Sequence, residues 1–112
     1  MTIAERITQQ IAAWPEVTVA AHGPRFVEFR VGRRELGHLH GSQLADIVFP
    51  VRIREQLVAA RRAMPHHHQP QSGWVSVPIR TEADVEEIVS LFRLSFDRPW
   101  LSRPEVPQAP AG

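Results

Sequence analysis

Cysteine is absent from the 112 residues. That excludes disulfide frameworks, thiolate zinc sites, iron–sulfur clusters and cysteine nucleophiles. Lysine is absent as well: all thirteen basic side chains are arginines, set against twelve carboxylates for a net charge of +1. The pI of about 9.0 therefore does not mark a basic surface, and because the arginines are scattered rather than gathered in a stripe, no nucleic-acid partner is expected. No apolar run approaches the roughly eighteen residues a membrane span requires. The N-terminal MTIAERITQQ carries two charges, unlike a signal peptide. A soluble, cytoplasmic protein with no membrane partner is the expectation. GxGxxG, GxxxxGK, HExxH and CxxC patterns are all missing, so nucleotide cofactors are disfavoured and no cofactor is assigned.

What is present suits one small folded unit. A hydrophobic fraction of 43% with 22% charged residues is that of a globular chain, and a chain of this length supports a single core. Thr2 and Glu5 form a capping box ahead of the stripe Ile3, Ile7, Ile11, which predicts a helix from Ile3 to Trp14, stopped by Pro15. Val17–His22, Arg25–Val31 and Glu35–His40 read as three strands of an antiparallel meander, turned at Gly23-Pro24 and at Gly32-Arg33. Leu44–Phe49 is a short apolar passage. Pro50 then opens a helix with the stripe Ile53, Leu57, Val58, running to Ala63. His66–His68 and Trp74–Ile79 read as a two-strand hairpin. Thr81 caps a last helix whose acidic first turns suit its dipole and whose stripe is Val85, Ile88, Val89, Phe92 and Phe96.

This order predicts an α+β fold, an antiparallel sheet made of a three-strand meander plus a two-strand hairpin and packed against helices as a two-layer sandwich. The domain should span residues 1–98. Residues 99–112, rich in proline, should form a flexible tail, with Trp100 and Leu101 placed to dock on the body.

Two histidine-bearing segments carry the chemistry. In Gly37-His38-Leu39-His40-Gly41 the two imidazoles are two apart, and on a strand residues i and i+2 project from one face. Such a pair is a familiar start for a zinc, iron or copper site, but it needs a third ligand from His66, His67, His68, His22, Glu28 or Asp46. The flanking glycines suit a pocket floor, or simply bound a short strand. In Pro65-His66-His67-His68, alternation along a strand would put His66 and His68 on one face and His67 on the other. These side chains can act as acid or base near neutrality. Against both readings, histidine is commonly half-buried and merely hydrogen-bonded. Trp74 follows a turn and is either core or the wall of an aromatic ligand site. Ser42, Ser72 and Ser76 lack a nucleophile elbow. Arg33-Arg34 and Arg61-Arg62 can meet an anion, although paired arginines are more often solvated.

At GRRELGHLHG (32–41), LADIVFPVRIREQLV (44–58), PHHHQPQSGWVSVPI (65–79) and DVEEIVSLFRLSF (84–96) the chain resembles the luciferase-domain family. This group includes fungal luciferases of the hispidin pathway and many small bacterial proteins. The resemblance runs from Val17 to Arg98. It implies a relative of oxygenases that add dioxygen to an aromatic α-pyrone, and it reaches His66 and His67 but not His68. A further similarity, to MmcQ/YjbR-like proteins with their frataxin-like fold, implies the sandwich architecture.

The sequence reading is therefore a luciferase-domain protein, monomer or homodimer, binding a small aromatic or carbonyl-bearing ligand. Cofactor-independent oxygenation or a proton-transfer step is the expected reaction. His38, His40 and His67 are the catalytic candidates and His66, Trp74, Ser76 and Arg34 the ligand-binding ones, with no metal assigned. The alternative is a non-catalytic binding or interaction module with structural histidines.

Overall fold

The computed structural model describes residues 1–23 and 25–102. Helix α1 (Ile3–Ala12) starts at the expected capping box, in which Thr2 Oγ1 accepts from the Glu5 amide and Glu5 accepts from the Thr2 amide. Four consecutive strands follow: β1 (Val17–Ala21), β2 (Phe26–Val31), β3 (Arg34–His40) and β4 (Leu44–Val48). After α2 (Val51–Ala59) come the two-residue β5 (Met64–Pro65) and β6 (Trp74–Pro78). Thr81 caps a short 3₁₀ turn that leads into α3 (Val85–Asp97).

The fold is α+β, with all six strands in one antiparallel sheet of order β1-β2-β3-β4-β6-β5. Leu44–Val48, which reads in sequence only as an apolar passage, is a strand inside the sheet; it joins the meander to the hairpin by pairing with β3 on one side and β6 on the other. Its middle residues Ala45, Asp46 and Ile47 are all buried, so both of its faces are covered and the alternation that usually betrays a strand is hidden. The second correction concerns the histidine run. His66–His68 is not a strand: β5 ends at Pro65, and the three histidines lie in the connection that follows.

All three helices contribute to the core on one side of the sheet. Ile7 and Ile11 of α1, Ile53 and Leu57 of α2, and Ile88, Leu91 and Phe92 of α3 meet Phe29, Leu39, Ala45, Ile47, Val75 and Val77 of the strands. The Phe29 and Phe92 rings pack edge to face at 5.3 Å between centroids. Trp100 sits in a 3₁₀ turn, Pro99–Leu101, with its ring 6.2 Å from Phe49. The expected tail is thus described only as far as Ser102, and residues 103–112 lie outside the described residues. No helix among the described residues is long and apolar enough to cross a membrane.

One irregularity positions the site. Between β2 and β3 the register shifts: Phe29 pairs with Gly37, whereas Arg30 pairs with Glu35, leaving Leu36 as the extra residue of a β-bulge. Leu36 and Gly37 are both buried on the helix side. As a result Glu35, three residues before His38 and hence on the opposite face of any regular strand, comes out on the same face as His38. Gly37 has φ +156°, and a Cβ there would lie 2.3 Å from the Asp46 carbonyl oxygen and 2.8 Å from the Phe92 ring. Its lack of a side chain admits Phe92 rather than a ligand, so it belongs to the core and not to a pocket floor.

Gly37→Ala should therefore destabilise by about 3 kcal/mol or more, because overpacking adds to a disfavoured backbone. Gly32→Ala, in a turn with open space around it, should cost only the left-handed backbone term of about 1–2 kcal/mol. Urea denaturation of the two variants checks this; equal losses would contradict the close packing at Gly37.

Candidate functional site

The sheet face away from the helices carries a row of polar side chains in register across four strands. Glu28 pairs with His38, His38 with Asp46, and Asp46 with Ser76. Period-two alternation puts these four on one face while their neighbours Phe29, Leu39, Ile47 and Val77 go to the core.

Asp46 is the centre of this row. It is only 1% exposed, and a carboxylate taken out of water must be paired or hydrogen-bonded. Its Oδ1 accepts from Ser76 Oγ at 2.7 Å. Its Oδ2 faces three imidazoles through their Nε2 atoms: His40 at 2.9 Å, His38 at 3.3 Å and His66 at 3.5 Å. His38 also reaches Glu35, its Nδ1 lying 2.9 Å from Oε2. Burial opposes ionisation of Asp46, but the hydrogen bonds from His38, Ser76 and His40 outweigh it and hold the carboxyl well below the usual carboxylate range. Burial likewise works against a charge on His38, and the hydrogen bonds to Asp46 and Glu35 overcome it, raising its pKa.

His66 arrives from a different part of the chain, and three contacts pin the segment that carries it. Pro65 pairs with Val75 in the sheet, Arg54 donates to the Pro70 carbonyl, and the Phe49 amide donates to the Gly73 carbonyl at 3.0 Å. Gly73 allows that last approach, since a Cβ there would fall 1.7 Å from the Phe49 carbonyl oxygen. The His66 ring consequently folds over the sheet with its side chain 14% exposed.

Aromatic rings flank the cluster. Phe26 lies 4.7 Å from the His38 ring and 5.4 Å from His40. Trp74 lies 5.2 Å from His38 and 6.4 Å from His66. The face opens to solvent at His40, whose side chain is 44% exposed, beside a cavity of about 330 Å³ lined by Arg25, His40, Gly41, Ser42 and Gln43.

Of the residues singled out in sequence, His38, His40, His66, Trp74 and Ser76 come together. Ser76 is buried and supports Asp46. His67 does not join them: it is exposed, stacks on His66 at 4.9 Å and meets His68 at 4.0 Å. Arg34 is at the other end of β3, donating to the Ser95 and Phe96 carbonyls near the end of α3. Ser42 accepts from the Ala4 amide, a tie between α1 and the β3–β4 turn. Asp46, which sequence reasoning offered only as one of six third ligands, is the residue on which the site converges. The available signal was a single charge in the apolar run LADIV. Glu35 gave none, because its orientation depends on the bulge.

Fold and site together define a small α+β domain with a histidine–carboxylate cluster on the helix-free face of an antiparallel sheet. Residues 33–95, more than half the chain, match the family model described as Luciferase domain, and every cluster residue lies within that span. The chain belongs to the luciferase-domain family. Comparison with curated proteins found no match, nor did comparison with solved structures.

Ser76→Ala removes a hydrogen bond to a buried carboxylate and should destabilise by about 1.5–3 kcal/mol. Ser90→Ala, at an exposed position of α3, should stay within about 0.5 kcal/mol. Urea titration of both measures the difference, and a silent Ser76→Ala would show that Asp46 does not depend on that hydroxyl.

Proposed function

We propose that this domain is a small-molecule enzyme whose ligand, an aromatic or carbonyl-bearing compound with an acidic enol or phenol oxygen, binds on the helix-free sheet face at the His40 opening. The observation that carries this reading is the convergence of three imidazole nitrogens on one buried carboxylate oxygen, a costly arrangement in a domain with little core to spare. Perturbed, densely coupled titratable groups of this kind cluster at functional sites.

The cavity beside His40 is at the small end of the roughly 300–1,000 Å³ typical of ligand sites. Phe26 offers the ring of such a ligand an apolar contact. Trp74, set against His38 and His66, holds the imidazoles in place. With its oxygen at the cluster, the enolate or phenolate form of the ligand is stabilised, and that is the electron-rich form from which oxygenation or a proton shift proceeds. No organic cofactor takes part. His40 acts at the oxygen, Asp46 orients it, Glu35 and Asp46 hold His38 beside it, and Arg34 and His67 stand outside the reacting group.

Titration of the protein with a hydroxylated α-pyrone and with simple phenols, followed by tryptophan fluorescence and by dioxygen uptake, tests the reading. Saturable binding is expected, weakened about tenfold or more in His40→Ala, the equivalent of losing one good hydrogen bond, and unchanged in His67→Ala. Absence of binding across the probes, or binding indifferent to His40→Ala, would sink it.

A further inference from the structure

The geometry points to a metal site: His38 and His40 through Nε2, with Asp46 through Oδ2, form a three-ligand set for one divalent first-row transition ion, and His66 stands beside it, its Nε2 3.5 Å from the same carboxylate oxygen. The His38, His40 and Asp46 donor atoms all lie within 4.8 Å of one another. The separations from Asp46 Oδ2 to the three nitrogens are 2.9, 3.3 and 3.5 Å. Ligands bound at about 2.0–2.1 Å in a tetrahedron stand roughly 3.3 Å apart, so the separations of His38 and His40 from Asp46 suit ligands of one ion.

Hydrogen bonding alone explains the arrangement poorly. A carboxylate oxygen has two lone-pair sites, yet three imidazole nitrogens lie within 3.5 Å of this one. The His38 ring sharpens the point. Its Nδ1 is 2.9 Å from Glu35 Oε2, a neighbour that can only accept, so Nδ1 carries the proton. Nε2 is then the atom left to take an ion, which would displace the proton that His38 otherwise shares with Asp46 Oδ2, 3.3 Å away.

The surroundings are those of a metal centre. Glu35 on Nδ1–H of His38 is the outer carboxylate that fixes a ligating imidazole in one tautomer and raises its basicity. Ser76 occupies Asp46 Oδ1, leaving Oδ2 for the ion. Two imidazoles with one carboxylate suit zinc, iron, copper or nickel better than magnesium or calcium. The exposed His40 edge leaves a side from which a ligand oxygen can approach.

The inference stands independently of any organic ligand, so its test needs none. Protein prepared without a histidine tag, stripped by chelator and dialysed, is titrated with Zn²⁺ by calorimetry and with Co²⁺ by visible absorption, while the protein as isolated is assayed for metal content. One equivalent of metal is expected, with intense tetrahedral-type d–d bands for cobalt. His40→Gln, at the exposed edge where loss of fold is not expected, should weaken binding at least tenfold, and His38→Ala with His40→Ala should abolish it. Glu35→Gln should weaken it about 10–100-fold. The His67→Ala, His68→Ala double variant should leave it unchanged. Failure of wild-type protein to bind one equivalent would overturn the proposal. So would binding that survives loss of His38 and His40 but vanishes with His67 and His68, since that is capture by the exposed histidine run.

Discussion

A carboxylate is buried in the middle of the sheet, and the arrangement around it follows from the need to satisfy it. Asp46 sits on an interior strand and is almost wholly removed from water. An unpaired charge in that position would cost several kcal/mol. Ser76 across one strand boundary, His38 across the other, His40 two residues along and His66 from the connection after β5 supply the compensation. Each partner comes from a different point in the chain, so the charge is satisfied only in the folded state. The site and the fold are therefore coupled: what holds β3, β4 and β6 in register also assembles the imidazoles.

The division of labour between the two sheet faces makes this possible. One face takes all three helices and nearly all the large apolar side chains, which supplies the burial that stabilises so short a chain. The other face, on which no helix of the described residues packs, can hold polar groups in an enclosed but reachable setting. The β-bulge at Leu36–Gly37 adjusts the boundary between them. It sends two consecutive residues to the helix side and brings Glu35 round to the polar side, where it meets His38. A defect in the ladder thus provides the carboxylate that orients one of the central imidazoles.

Much of this was legible along the chain. The capping box at Thr2, the N-cap at Thr81, the apolar stripes of the helices and the three strands of the meander all appear in local sequence, because caps and periodicity are short-range effects. The shared face of His38 and His40 was legible for the same reason. Strand β4 was not, since burial removes the alternation on which recognition depends. Nor was the fate of the histidine run. Extrapolating strand geometry through Pro65-His66-His67-His68 pairs His66 with His68, whereas the chain leaves the sheet at Pro65 and stacks His66 on His67 instead.

Local sequence, then, determined the helices, the meander, the family and the residue types from which a site could be built, because backbone preference and side-chain period act over a few residues. Tertiary structure alone decided the membership of that site. Asp46 was chosen from six candidates, and His66 from three adjacent histidines, by strand register and by the contacts of Arg54 and Gly73 that pin the connection over the sheet. Distances of about 3 Å between groups twenty or more residues apart depend on the whole packing arrangement, and no local pattern encodes them.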